Sequence, residues 1–159
     1  MARFKNEYEC YLDKKFLLTY YLVTEALLMA DSRVKNMMIA TWGKESRQYY
    51  PLKQDNSGKW VADTSATPIQ TNNYILYPIF YDMDTMLGLD NTGVSRFKYY
   101  DEDTDSAIYN GDEVLWNFVR DALPNDLISW YSELENSLLT VGKDDKGEEI
   151  GILPYYNKN

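Results

Sequence analysis

The sequence predicts an α+β domain in which helices pack on short antiparallel strands. Three observations carry that expectation. A helical repeat of apolar residues lies near the N-terminus, strand-like runs broken by turn residues fill the middle, and two adjacent helical repeats follow. Strand and helix do not alternate in the manner of a parallel sheet. At 159 residues, 45% of them apolar and 15% aromatic, the chain has the length and content of one folded unit, and a single domain over 1–159 is expected.

The first helix is expected within residues 12–30, LDKKFLLTYYLVTEALLMA. Phe16, Tyr20, Val23 and Leu27 recur at steps of three and four, with Leu17, Tyr21 and Leu28 beside them. Asp13 is its N-cap, because a carboxylate there accepts from the first free amides. The helix should stop near Asp31, before a short buried strand, NMMIATW, at 36–42. Residues 43–73 are polar and rich in turn formers and read as a hairpin and loop insertion whose turn contains Gly58. YILYPIFY, 74–81, is a strand buried on both faces, with Pro78 deleting one ladder hydrogen bond and favouring an edge or bulged position. FKYY is a further short strand, followed by the acidic loop DEDTDSAIYNGD. EVLWNFVRDAL, 113–123, is a helix with Asn110 or Asp112 as cap and Pro124 as its end, and 125–140 is another. The tail after it is hairpin-like or loose.

Composition removes whole classes of chemistry. The chain has no histidine and a single cysteine, Cys10, so His-based triads, most zinc sites and disulfide frameworks are excluded. Any metal would be a hard cation taking oxygen ligands, Mg²⁺ or Ca²⁺. With 25 acidic against 16 basic residues and a net charge of −9, nucleic acid is not expected as a partner. No apolar run reaches membrane-spanning length and MARFKNEYE is neither signal peptide nor anchor, so no membrane partner is expected.

The chemistry-bearing signal is where the strand YPIFY ends in Asp82 and Asp84. Residues two apart on a strand share a face at about 6.5–7 Å. Two carboxylates at that distance repel by roughly 2.5 kcal/mol at an effective dielectric of 20, and a dication reverses the penalty. The plainer alternative is that both acids bond loop amides. Earlier, DSRVKN places Asp31 five residues before Asn36, again just ahead of a strand. That is the interval of the protein-kinase catalytic loop, where Asp orients the attacking hydroxyl and Asn holds magnesium. Taken singly, Asp31 and Asn36 are ordinary turn residues.

Together these segments, Asp31 to Lys35 and Asn36 followed after a strand by Asp82 and Asp84, resemble the CotH kinase family, the spore-coat type of atypical kinase fold. The continuation MLGLDNTG is similar to segments in virion proteins of bacteriophages. The resemblance runs roughly from residue 14 to 131. It implies the larger, C-terminal lobe of a protein-kinase-like fold, with Asp31 as catalytic base, Lys35 as a phosphate contact, and Asn36 with Asp82 or Asp84 as magnesium ligands, Mg²⁺ and ATP being the cofactors. The smaller lobe, which supplies the phosphate-pairing Lys and its Glu, has no room in the residues before the first helix. The chain is therefore expected to be part of a longer polypeptide, or of a virion or coat assembly, with other coat proteins as partners. Two functions follow: a structural module that keeps the lobe and has a vestigial site, or an active Mg-dependent phosphotransferase once joined to the missing lobe.

Other motifs are weaker. Asp101, Asp103, Asp105 and Asp112 mimic calcium-loop spacing, but Ser106 stands where the turn needs Gly and Asp112 replaces the bidentate Glu. Gly43-Lys44-Glu45 is not a phosphate-binding loop. A glycosidase carboxylate pair is not singled out by spacing. Trp116, Phe118, Trp130 and Tyr131 read as packing residues.

Overall fold

A computed structural model describes residues 1–27, 29, 32–33, 36–82, 86, 114–135, 142–143, 145–147 and 149–150. The architecture is α+β. The chain divides into two compact units, Met1–Pro124 and Asn125–Asn159.

In the first unit, α1 (Ala2–Glu7) leads through a 3-10 turn, Tyr8–Cys10, into α2 (Lys14–Ala26). Asp13 caps α2 as expected, its carboxylate accepting from the Phe16 amide at 3.0 Å. The helix ends at Ala26, earlier than expected, and its buried stripe is Leu17, Tyr20, Tyr21 and Thr24, with Leu18 beside it. Phe16 is exposed and Val23 and Leu27 half-buried, so the face is rotated from the one the apolar spacing suggested. The reason is tertiary: Thr24 is needed inside for a hydrogen-bond network described below.

Two long strands follow, β1 (Met37–Tyr49) and β4 (Ile69–Phe80), paired antiparallel from Met37 opposite Phe80 to Tyr49 opposite Ile69. Between them the hairpin β2 (Leu52–Gln54) and β3 (Trp60–Ala62) turns through Gly58 at φ +81°. Asp55 holds that turn, accepting from the Ser57 and Lys59 amides at 2.8 and 3.0 Å. Residues 43–49 and 69–73, expected within the hairpin and loop insertion, thus continue the long ladder.

β1 is not the short buried strand expected. Met38, Ile39 and Trp42 are all exposed, Trp42 at 77%. Its ladder carries an irregularity: Thr41 faces Leu76 and Lys44 faces Tyr74, so Trp42 and Gly43 together oppose Ile75. Gly43 has φ +132°, a conformation open to glycine, and the Thr41 hydroxyl accepts from its amide at 3.1 Å.

β4 is half-buried, with Ile75, Tyr77 and Pro78 inside and Tyr74 and Phe80 exposed. Leu76 turns its backbone away from β1, donating to Tyr11 and accepting from Asp13, each at 2.8 Å. Pro78, two residues on, faces the same way, so its missing amide deletes nothing from the β1 ladder. The edge position expected for proline stands, without the expected loss of a ladder bond.

α3 (Val114–Ala122) buries Trp116, Val119 and Ala122. The two candidate caps, Asn110 and Asp112, lie outside the described residues. Tyr20 stacks between Trp116 and Phe80 at 5.3 and 4.7 Å, and Phe4 packs on Phe118 at 5.3 Å, so rings tie α1, α2, β4 and α3 into one core.

α4 (Pro124–Leu134) opens on the last residue of the first unit and runs on in the second; its first position is proline, where the missing amide costs nothing. The strands β5 (Gly142–Lys143) and β6 (Glu149–Ile150) form a small antiparallel hairpin, as the tail suggested. Tyr131, read as a packing residue, is exposed. FKYY, the acidic loop and its calcium-like spacing fall outside the described residues. Among the described residues no helix is long and apolar enough to cross a membrane.

Candidate functional site

The β1–β4 ladder fixes which sequence-distant residues meet. Asn36 precedes β1 and Asp82 follows β4, and because Met37 faces Phe80 both are delivered to the same end. The Asn36 side-chain amide donates to the Asp82 backbone carbonyl at 3.4 Å. Asp82 sits at φ +50°, a left-handed conformation that Asp tolerates better than most residues. It turns the chain out of the strand and leaves the side chain exposed. Asn36 and Asp82 are thus brought together, while Asp31, Lys35 and Asp84 lie outside the described residues.

An amide oxygen and a carboxylate are the hard donors that a magnesium ion accepts, usually with several waters completing the octahedron. In chemical type Asn36 and Asp82 fit that role. Among the described residues no three Cys, Asp or Glu side chains group closely enough to hold a metal.

What anchors the segment leading to Asn36 is a residue the motif reading passed over, Arg33. Its guanidinium is fully buried. Nε donates to Thr24 Oγ1 at 2.8 Å and Nη2 to the Tyr21 carbonyl at 2.7 Å, with Glu25 Oε2 at 3.2 Å. The guanidinium carbon lies 4.2 Å over the Tyr21 ring and 5.7 Å from the Trp116 ring centre. The backbone is held as well: Trp116 Nε1 donates to the Arg33 carbonyl at 3.3 Å, and the Tyr20 hydroxyl donates to the Ser32 carbonyl at 2.5 Å. A planar, delocalised cation is suited to this slot, where rings flank it and carbonyl, hydroxyl and carboxylate meet its donors near the negative end of α2. Burial pushes the Tyr20 phenol up to about 12, against the opposing pull of the Arg33 charge. Among the described residues the Ser32 hydroxyl is buried with no hydrogen-bond partner.

The sequence signal that could have found Arg33 is indirect. One arginine follows a helix carrying Tyr20, Tyr21 and Thr24 at the spacing of one face. Only the arrival of Trp116 from much later in the chain completes the slot.

Two other carboxylates illustrate the plainer use of loop acids. Asp63 is held down to about 2, chiefly by Lys53 Nζ at 2.7 Å and by Ser65. Asp55 is lowered by Ser57 first and then by backbone amides. Both hold turns.

Room for a ligand exists at the far end of the ladder. A groove of about 800 Å³ is lined by α1, the β2–β3 hairpin and the end of α3, including Lys5, Lys59, Trp60, Val61 and Asp121.

Compared with known proteins, the chain matches no family model, no curated protein and no solved structure.

Proposed function

We propose that the chain is a structural module of a virion or coat assembly, built on the larger lobe of a CotH-like kinase fold and keeping a vestigial magnesium corner. The observation that carries this reading is the contact between Asn36 and Asp82, since it joins the two motifs that the resemblance pairs. Magnesium would be held by Asn36 and Asp82, with Asp84 as further ligand, and would supply charge neutralisation for phosphate oxygens. Asp31 would be the ancestral base and Lys35 the ancestral phosphate contact. The exposed apolar residues of β1 and β4, Met38 and Trp42 on one face of the ladder and Ile39 and Tyr74 on the other, favour an assembly role, because among the described residues they leave apolar surface open on both faces.

The test is magnesium-dependent ATP binding and phosphate transfer on the whole chain, repeated with Asp82→Asn and Asp31→Asn. The expected result is weak magnesium binding, abolished by Asp82→Asn, with no transfer from any of the three proteins. Transfer at rates ordinary for kinases, lost in Asp31→Asn, would establish the active phosphotransferase instead. Absence of divalent-cation binding would remove the metal site from the proposal.

A further inference from the structure

Among the described residues β1 pairs with a strand along one edge only, that of β4. The direction of its backbone groups follows from parity. Leu76 turns its amide and carbonyl toward Tyr11 and Asp13, so even-numbered residues of β4 point away from β1. Beyond the bulge Lys44, Ser46 and Gln48 face Tyr74, Asn72 and Gln70, and therefore direct their own amides and carbonyls outward. All three residues are exposed, as is Glu45 between them. Among the described residues nothing meets these donors and acceptors, and such a run on an exposed strand is a template for another strand.

We infer that this edge is a dimerisation site, on which residues 43–49 of a second copy add antiparallel to residues 43–49 of the first. The occupant is set by charge. A two-fold axis through an antiparallel strand pair places one residue opposite its own counterpart. Centring the axis on Lys44, Glu45 or Arg47 sets that charge against itself. Centring it on Ser46 sets Glu45 opposite Arg47 of the second copy, and Arg47 opposite its Glu45. In the same alignment Lys44 meets Gln48 and Gly43 meets Tyr49, while Ser46 exchanges both backbone hydrogen bonds with its counterpart. Glu45 and Arg47 already touch within one chain at 2.7 Å, with 48% and 38% of their side-chain surfaces still in water, so each can take a second partner. Both fall at the positions between outward hydrogen bonds, where facing side chains come closest. Slipping the alignment by two residues replaces two attractions with a like-charge pair, so the register specifies itself. This dimer stands on the strand edge alone and holds whether or not the kinase-like reading does.

Sedimentation equilibrium on the whole chain at sub-millimolar concentration tests it. The unchanged protein is expected to be a dimer, weakened by salt. Glu45→Arg alone and Arg47→Glu alone each place like charges across the axis and are expected to weaken association by about tenfold or more, with circular dichroism unchanged. Mixing the two variants restores unlike charges at both positions, so the equimolar mixture should recover a heterodimer. A monomeric unchanged protein, a dimer indifferent to either single reversal, or a mixture that stays monomeric would each overturn the proposal.

Discussion

The slot around Arg33 and the arm formed by β1 and β4 are built from similar residues and treat them in opposite ways. Both are rich in rings and both contain cations near those rings. In the slot, Trp116 is fully buried, and the buried Arg33 beside it has its Nε and Nη2 donors engaged. On the arm, Trp42 stacks on Tyr77 at 4.9 Å and Lys44 lies 5.3 Å from the Tyr74 ring, yet both Trp42 and Tyr74 remain largely in water. The difference is not the pairwise geometry, which is alike. It is whether a third element closes over the pair and removes the remaining water, and that closure decides how much free energy a ring contact contributes.

The largest effect should come from emptying the slot. Trp116→Ala is expected to destabilise the first unit by about 3–5 kcal/mol, while Trp42→Ala changes stability by no more than about 0.5 kcal/mol. Denaturant melts of the two variants measure the contrast directly. Comparable losses would mean that the arm is as closed as the slot.

Arg33→Met keeps the length and apolar stem but removes the cation. The Tyr21 carbonyl and Thr24 hydroxyl each lose the donor that Arg33 supplies, and a cost of about 3 kcal/mol is expected in the same melts. Lys44→Met on the arm should be near neutral.

Alkali offers a milder way in. Tyr20 is raised from 10.0 to about 12 in the folded state, so below pH 10 the phenol is protonated in both folded and unfolded chains and its full contribution is present. Between pH 10 and 12 the unfolded chain loses that proton first. Stability should therefore fall by about 2–3 kcal/mol across that window. Tyr20→Phe should flatten this part of the stability profile, and equal slopes in the two proteins would remove Tyr20 as the cause.

The smallest effect is expected at Ser32, whose hydroxyl is buried and, among the described residues, unpaired. Ser32→Ala removes a desolvated group that gains nothing, and should be neutral or stabilising by about 1 kcal/mol in thermal melts. A clear loss would point to an ordered water on that oxygen.

The same contrast explains what could be read from the sequence. The Asp13 cap, the Gly58 turn and the end of α3 ahead of Pro124 are local devices, whose partners lie within four residues, and each was legible. The meeting of Asn36 with Asp82 was legible at one remove, since two strands with a hairpin between them bring their outer ends together. Arg33 was not, because its slot is made by Thr24, Tyr21 and Trp116, and no neighbour of Arg33 announces them. The length of β1 was hidden for a related reason. Polar residues 44–48 resemble a loop unless a partner strand with its own polar face is already in view.

The bulge at Trp42 and Gly43 has a mechanical consequence. Removing Gly43 would leave Thr41, Trp42 and Lys44 opposite Leu76, Ile75 and Tyr74, an uninterrupted ladder in which every existing pair is kept. What would change is the extra bend and twist that a surplus residue imposes. Gly43 is therefore a steering joint: with it or without it the two strands stay threaded alike, but the β2–β3 tip is aimed in a different direction.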